Sequence, residues 1–154
     1  MTDTALVRIT ISGQDLSRAA DAASEGVIDH PLKVEKRTGP RVPARTRFRL
    51  IAASQVERCS LVELIPETGR LHQIRRHMKH LSHPLIGDVN YGKGDINRLF
   101  RERYQLHRLA LHAAEIAFTH PVSEERIRVI APMPEDLSAP LRALGLHPQY
   151  PPSP

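Results

Sequence analysis

The stretch Thr68-Gly69-Arg70-Leu71-His72-Gln73-Ile74-Arg75-Arg76-His77-Met78-Lys79-His80-Leu81-Ser82-His83 decides how the chain is read. Leu71, Ile74, Met78 and Leu81 recur at intervals of three, four and three. That spacing predicts an amphipathic helix over about 69–82 with one apolar stripe. At about 100° per residue, His72, Arg75, Arg76, Lys79, His80 and His83 gather on a basic face beside the stripe. Arg75 falls at the boundary, where packing holds its stem on one side and its head can reach a cleft on the other.

Working outward, Pro66-Glu67-Thr68-Gly69 reads as a turn that receives a strand near 58–65, itself preceded by a strand near 46–53. Residues 36–45, KRTGPRVPAR, are rich in Gly, Pro and basic side chains and predict an extended loop. Ala5, Val7, Ile9 and Ile11 alternate, which places them on one face of a strand, and residues 14–24 form a polar, Ala-rich connection that a helix can accommodate. Downstream, Asp95 is expected to cap a helix through about Tyr104, with Ile96, Leu99 and Phe100 inward. Strands follow near 109–119 and 126–131, and Pro134 opens a last helix to about Leu144 despite Pro140 within it. Without a regular βαβ rhythm, the pattern predicts an α+β fold, a mixed and mainly antiparallel sheet flanked by helices. One domain spans 1–146, and the Pro-rich residues 147–154 form an unordered tail.

Charge is unevenly placed. The 154 residues carry 22 Lys+Arg against 17 Asp+Glu, a formal charge of +5. The acids Asp3, Asp15, Asp21, Glu25 and Asp29 dominate the first thirty residues. Residues 33–49 then hold Lys33, Lys36, Arg37, Arg41, Arg45, Arg47 and Arg49 against Glu35 alone. With residues 70–83, this concentrates positive charge where a phosphate backbone would be felt. Aromatics at 4% exclude an interleaved base-stacking ladder. No apolar run approaches the roughly 18–20 residues needed to span a bilayer, and the N-terminal residues do not read as a signal peptide. One cysteine, Cys59, cannot form an internal disulfide, so a cytoplasmic setting is expected.

The quoted stretch, followed by His83-Pro84-Leu85-Ile86-Gly87-Asp88 and Tyr91-Gly92, resembles the signature of the RluA-type RNA pseudouridine synthases. Leu111-His112-Ala113 and Thr119-His120-Pro121 fit the same family downstream, and Gly26–Leu32 and Ala44–Phe48 fit it upstream. The likeness covers about residues 4–144, and Gly92–Phe100 is most similar to the branch that modifies uridine-65 of tRNA. The resemblance implies an isomerase that needs no cofactor and no metal. A uridine is flipped from RNA into a pocket, an aspartate attacks it, the glycosidic bond breaks, and the base turns and rejoins through carbon. It implies that Arg75 pairs with that aspartate, keeping it ionised and aimed. Arg70, His72, Arg76 and Lys79 then become candidate contacts to RNA, which the resemblance to this branch implies is tRNA, and a solvated helix face fits the same four residues equally well. A monomer without a nucleotide cofactor is expected.

The family aspartate belongs to a His-Arg-Leu-Asp motif upstream of the region where this sequence starts. Here His107-Arg108-Leu109 is followed by Ala110 and lies after the helix, out of order. The chain is therefore expected to be the C-terminal part of the catalytic domain, whether a truncated reading frame, a fragment or a degenerate descendant, and inactive alone. A native strand over 5–11 would then leave an edge or an apolar face exposed. Four other features are read plainly. The His77, His80, His83 spacing lacks the cysteines, acids or HExxH pattern of a zinc site. Gly87–Gly94 nearly spells a P-loop, but Gly94 stands where Ser or Thr should bind Mg²⁺, so it reads as a Gly-rich turn closed by Asp88, an acid that could also support the Arg75 region. Tyr91 packs. Cys59 is a buried strand residue.

Overall fold

The computed structural model describes residues 5–12 and 25–146. Its strands are β1 (Ala5–Ser12), β2 (Glu25–Asp29), β3 (Leu32–Lys33), β4 (Arg41–Val42), β5 (Arg45–Ala53), β6 (Ser60–Pro66), β7 (Leu111–Thr119) and β8 (Arg126–Ile130). Its helices are α1 (Gln73–His80), α2 (Gly94–Tyr104) and α3 (Glu135–Ala143). The expected connection at 14–24 and the tail at 147–154 lie outside the described residues.

Six strands form one antiparallel sheet in the order β2-β5-β6-β1-β7-β8, and β3 with β4 makes a separate small hairpin. The fold is α+β, as the mixed pattern predicted. β1 pairs with β6 on one side and β7 on the other, so the sheet edges fall to β2 and β8 instead. The sheet is covered on both faces, and the alternation along β6 explains how. Leu61 and Ile65 join Ile11, Cys59, Phe100, Leu137 and Leu141 beneath α2 and α3. Val62 and Leu64 join Ile28, Ile74, Met78 and Leu85 beneath α1. A register shift in β5 between Leu50 and Ala52 lets Phe48 and Leu50 serve the α1 side while Ile51 and Ala52 serve the other. Cys59, immediately before β6, is a fully buried core residue.

Three expectations about the helices need correction. α1 begins at Gln73 because His72 takes a left-handed conformation, φ 49 and ψ 35, which ends any helical run from 69. Leu71 therefore precedes the helix and is 47% exposed, so it does not belong to the apolar stripe. The basic face is also not uniformly solvated: Arg76 and His83 are buried, whereas Lys79 and His80 are exposed. Asp95 is not the cap of α2, since Lys93 takes that position with no side-chain bond, and Asp95 sits in the first turn with Oδ1 accepting from Ile96 N–H. In α3, Pro134 stands at the cap rather than inside the helix. The helix ends where Gly145, at φ 71, lets its N–H reach Arg142 O and Leu146 N–H reach Leu141 O. No helix among the described residues is long and apolar enough to cross a membrane.

Candidate functional site

The site grows from the entry to α1. With no side-chain cap at its start, the helix is tied down by Gln73. Its Oε1 accepts from Thr68 Oγ1 at 2.6 Å and from Arg70 N at 3.1 Å. Its Nε2 donates to Arg45 O at 2.8 Å and to Thr46 Oγ1 at 3.0 Å. The same Thr46 oxygen lies 2.7 Å from His77 Nδ1, and His77 Nε2 lies 2.9 Å from His30 O. A carbonyl can only accept, so Nε2 carries the proton and Nδ1 accepts from the threonine hydroxyl. Burial pushes the His77 imidazole below its usual pKa against the helping carbonyl of His30, and neighbouring His30, His80 and Arg76 lower it further.

Two residues after Gln73, Arg75 faces Asp88. Its Nε donates to Oδ2 and its Nη2 to Oδ1, both at 2.9 Å, a side-on fork. The Arg75 side chain is 17% exposed and that of Asp88 is fully buried. Asp88 Oδ1 also accepts from Asn90 N at 3.1 Å and Tyr91 N at 3.0 Å, so Asp88 both closes the turn and holds the arginine. Burial raises the Asp88 pKa, but the bond from Arg75, the backbone N–H groups and the Arg75 charge outweigh it and hold the carboxyl below its usual range. The Arg75 guanidinium lies 4.9 Å from the Tyr91 ring centre, and Lys36 Nζ lies 5.3 Å from it. Tyr91 Oη is 2.9 Å from His72 Nδ1. Burial, then Arg75 and Lys36, lowers the His72 pKa, with Asp88 opposing them.

Behind Asp88 the glycine turn is fixed to α2. Gly87 N–H donates to Asn97 Oδ1 at 2.8 Å and Asn97 Nδ2 to Asp88 O at 3.0 Å. Gly87 has φ 82, and a Cβ there would lie 2.2 Å from Arg108 O, so only glycine fits.

Arg76 and Lys79 line an open cleft of about 510 Å³ between the β3–β4 hairpin and α1, shared with Tyr91. Arg70 and His72 are not among its lining residues. Arg70 is exposed, its Nε bonded to Pro43 O at 2.9 Å. Arg76 is only 8% exposed, and its guanidinium donates to Leu71 O, Lys33 O and Glu35 O. The four candidate RNA contacts are thus chemically unequal: Lys79 stands in the cleft, while Arg76 is mainly a strut beneath the hairpin. The histidines do not converge, because His77 points into β5, His80 stacks on His30 and His83 bonds Leu81 O. Among the described residues no group of three or more His, Cys, Asp or Glu is placed to hold a metal.

An antiparallel sheet thus carries a Thr-Gly-Arg turn, a Gln-Ile-Arg helix and a Gly-Asp turn clasped to that arginine. The match to the RNA pseudouridylate synthase family over residues 4–80 makes the assignment, and the chain belongs to that family. It is 40% identical over 121 residues to tRNA pseudouridine synthase C of Vibrio parahaemolyticus, covering 67% of this chain and 49% of the relative. It is 36% identical over 144 residues to the protein of that name from Vibrio vulnificus, covering 78% and 59%. The chain thus spans about half the length of these curated relatives. The solved structure of human RNA pseudouridylate synthase domain containing 4 superposes with a TM-score of 0.70 over 92% of this chain and 62% of that one, at 21% identity, a likeness of fold.

Proposed function

We propose that this chain forms the arginine-bearing side of a site that isomerises uridine in RNA, with a tRNA uridine of the position-65 type as substrate. One observation carries the reading: Arg75 is clasped side-on by Asp88 over the Tyr91 ring, beside a basic cleft. A side-on clasp uses Nε and one face of Nη2, which leaves the end edge of the guanidinium for a second carboxylate. A nucleophilic aspartate from a His-Arg-Leu-Asp segment, a string absent from this sequence, would be held ionised there by a cation already fixed in place. Arg70, His72 and Lys79 are the proposed RNA contacts, with Arg76 contributing charge from beneath the hairpin. A monomeric cytoplasmic protein without a cofactor belongs to the same reading.

Tritium release from 5-³H-uridine in tRNA tests it. The 154-residue polypeptide alone is expected to give no turnover. A chimera joining it to the His-Arg-Leu-Asp half of a tRNA pseudouridine synthase C is expected to turn over, and Arg75→Ala in that chimera to abolish it. Robust turnover by the chain alone would show that the source of the nucleophile has been misread. A second reading, an RNA-binding chain without catalysis, is favoured by Asp88, which already supplies Arg75 with a counter-charge. It predicts salt-dependent tRNA binding together with an inactive chimera.

A further inference from the structure

We propose that the cleft between the β3–β4 hairpin and α1 is a subsite for consecutive phosphates of an RNA strand, held by Lys36, Arg37 and Lys79 around the stacked imidazoles of His30 and His80. The inference rests on the RNA reading above for the identity of the polymer. The cleft wall is rich in cations: Lys33, Lys36, Arg37, Arg41 and Lys79 line it, beside Leu32 and Tyr91, and no carboxylate does. The imidazole planes of His30 and His80 lie 12° apart with centres 3.7 Å apart. Two such rings repel when both are charged, and an anion laid against them removes that cost. Burial, then the charges of His80 and Arg41, lowers the His30 pKa.

The cleft is also built in advance. Arg76 donates to Lys33 O at 2.8 Å and Glu35 O at 3.4 Å, pinning the hairpin loop to α1. Within the loop, Val34 N–H bonds Pro40 O at 3.0 Å and Lys33 Nζ bonds Arg37 O at 3.1 Å. The loop backbone that carries Lys33, Lys36 and Arg37 is therefore held against α1 without an anion to order it, which lowers the entropic cost of binding. Tyr91 joins this cleft to Arg75, so a strand lying in it would lead directly to the guanidinium. The wall has a single aromatic ring besides the histidines, which suits a phosphate backbone better than stacked bases.

The test follows the imidazole resonances of the whole chain by NMR during titration with an oligouridylate and, separately, with inorganic tripolyphosphate. Fluorescence anisotropy measures oligouridylate affinity against salt. Oligouridylate is expected to move the His30 and His80 signals. The triple variant Lys36→Ala, Arg37→Ala, Lys79→Ala is expected to bind at least about tenfold more weakly, with the slope of log affinity on log salt reduced by about 2. Arg98→Ala with Arg101→Ala, on α2 across the sheet, is expected to bind as the unchanged chain does. Oligouridylate bound with the His30 and His80 signals still, and with the triple variant unaffected, would overturn the subsite and leave the RNA reading standing. Tripolyphosphate moving those signals while oligouridylate fails to bind would overturn both, leaving an anion cleft without RNA.

Discussion

Arg75 and Asp88 hold one another by two parallel bonds, and the carboxylate is wholly out of solvent, so neither can be changed without leaving the other uncompensated. Removing one member of such a pair costs about 3 kcal/mol or more, because the partner keeps its desolvation penalty. Arg75→Met is therefore expected to lower unfolding free energy by about 3 kcal/mol at pH 7, read by urea denaturation. The pH dependence has a definite sign. Asp88 is depressed in the folded chain, so its contribution is present above the usual carboxylate value of 3.8 and is lost as pH falls through its folded value. The gap between Arg75→Met and the unchanged chain should thus narrow from pH 7 to below pH 4, and a constant gap would show that the pair contributes by packing alone. Sequence reading found Arg75 through the motif. It allowed Asp88 to support the Arg75 region but favoured the turn, because residues 75 and 88 are too far apart for any local period to join them.

At the scale of the element, α1 is anchored by its apolar stripe and by a polar set, Gln73, Thr46 and His77, between helix and β5. Thr46→Val keeps the shape but strands His77 Nδ1, and it is expected to cost about 2 kcal/mol with the urea m-value unchanged. His77, depressed by burial, stabilises fully above its usual pKa of 6.5 and loses that contribution as pH falls through its folded value. Thermal stability should therefore decline from pH 7 toward pH 5, and His77→Gln should flatten that part of the curve. The strands around α1 were legible because alternation marks a half-buried strand whatever follows it. The true helix start was not: only the left-handed turn at His72 sets it, and neither Leu71 nor His72 signals a positive φ in the sequence. The cleft was half legible. The run of cations from Lys33 to Arg41 showed as charge, but its placement against Lys79 and His80 needed the hairpin to fold over the helix, and the buried Arg76 looks like any surface cation until it does.

Across the whole molecule the sheet separates two layers with different work. The α1 and hairpin side carries Arg75 and the basic cleft, whereas the α2 and α3 side holds a larger apolar cluster. Leu64 belongs to the first layer and Leu141 to the second, and both are fully buried. Each truncated to Ala should cost about 2–5 kcal/mol, by lost burial and the cavity left behind. Because the two side chains pack into clusters on opposite faces of the sheet, the costs should add to within about 0.5 kcal/mol in the double variant, provided the faces respond independently. Their effects on RNA should diverge. Leu141→Ala, measured well below its melting temperature, should bind oligouridylate with unchanged affinity and salt slope, since no residue of its cluster lines the cleft. Leu64→Ala removes support directly under Ile74 and Met78, so α1 should shift and binding weaken. Equal losses in the two variants would mean that the sheet transmits packing defects from one face to the other, and that the cleft depends on the whole core rather than on the layer that forms it.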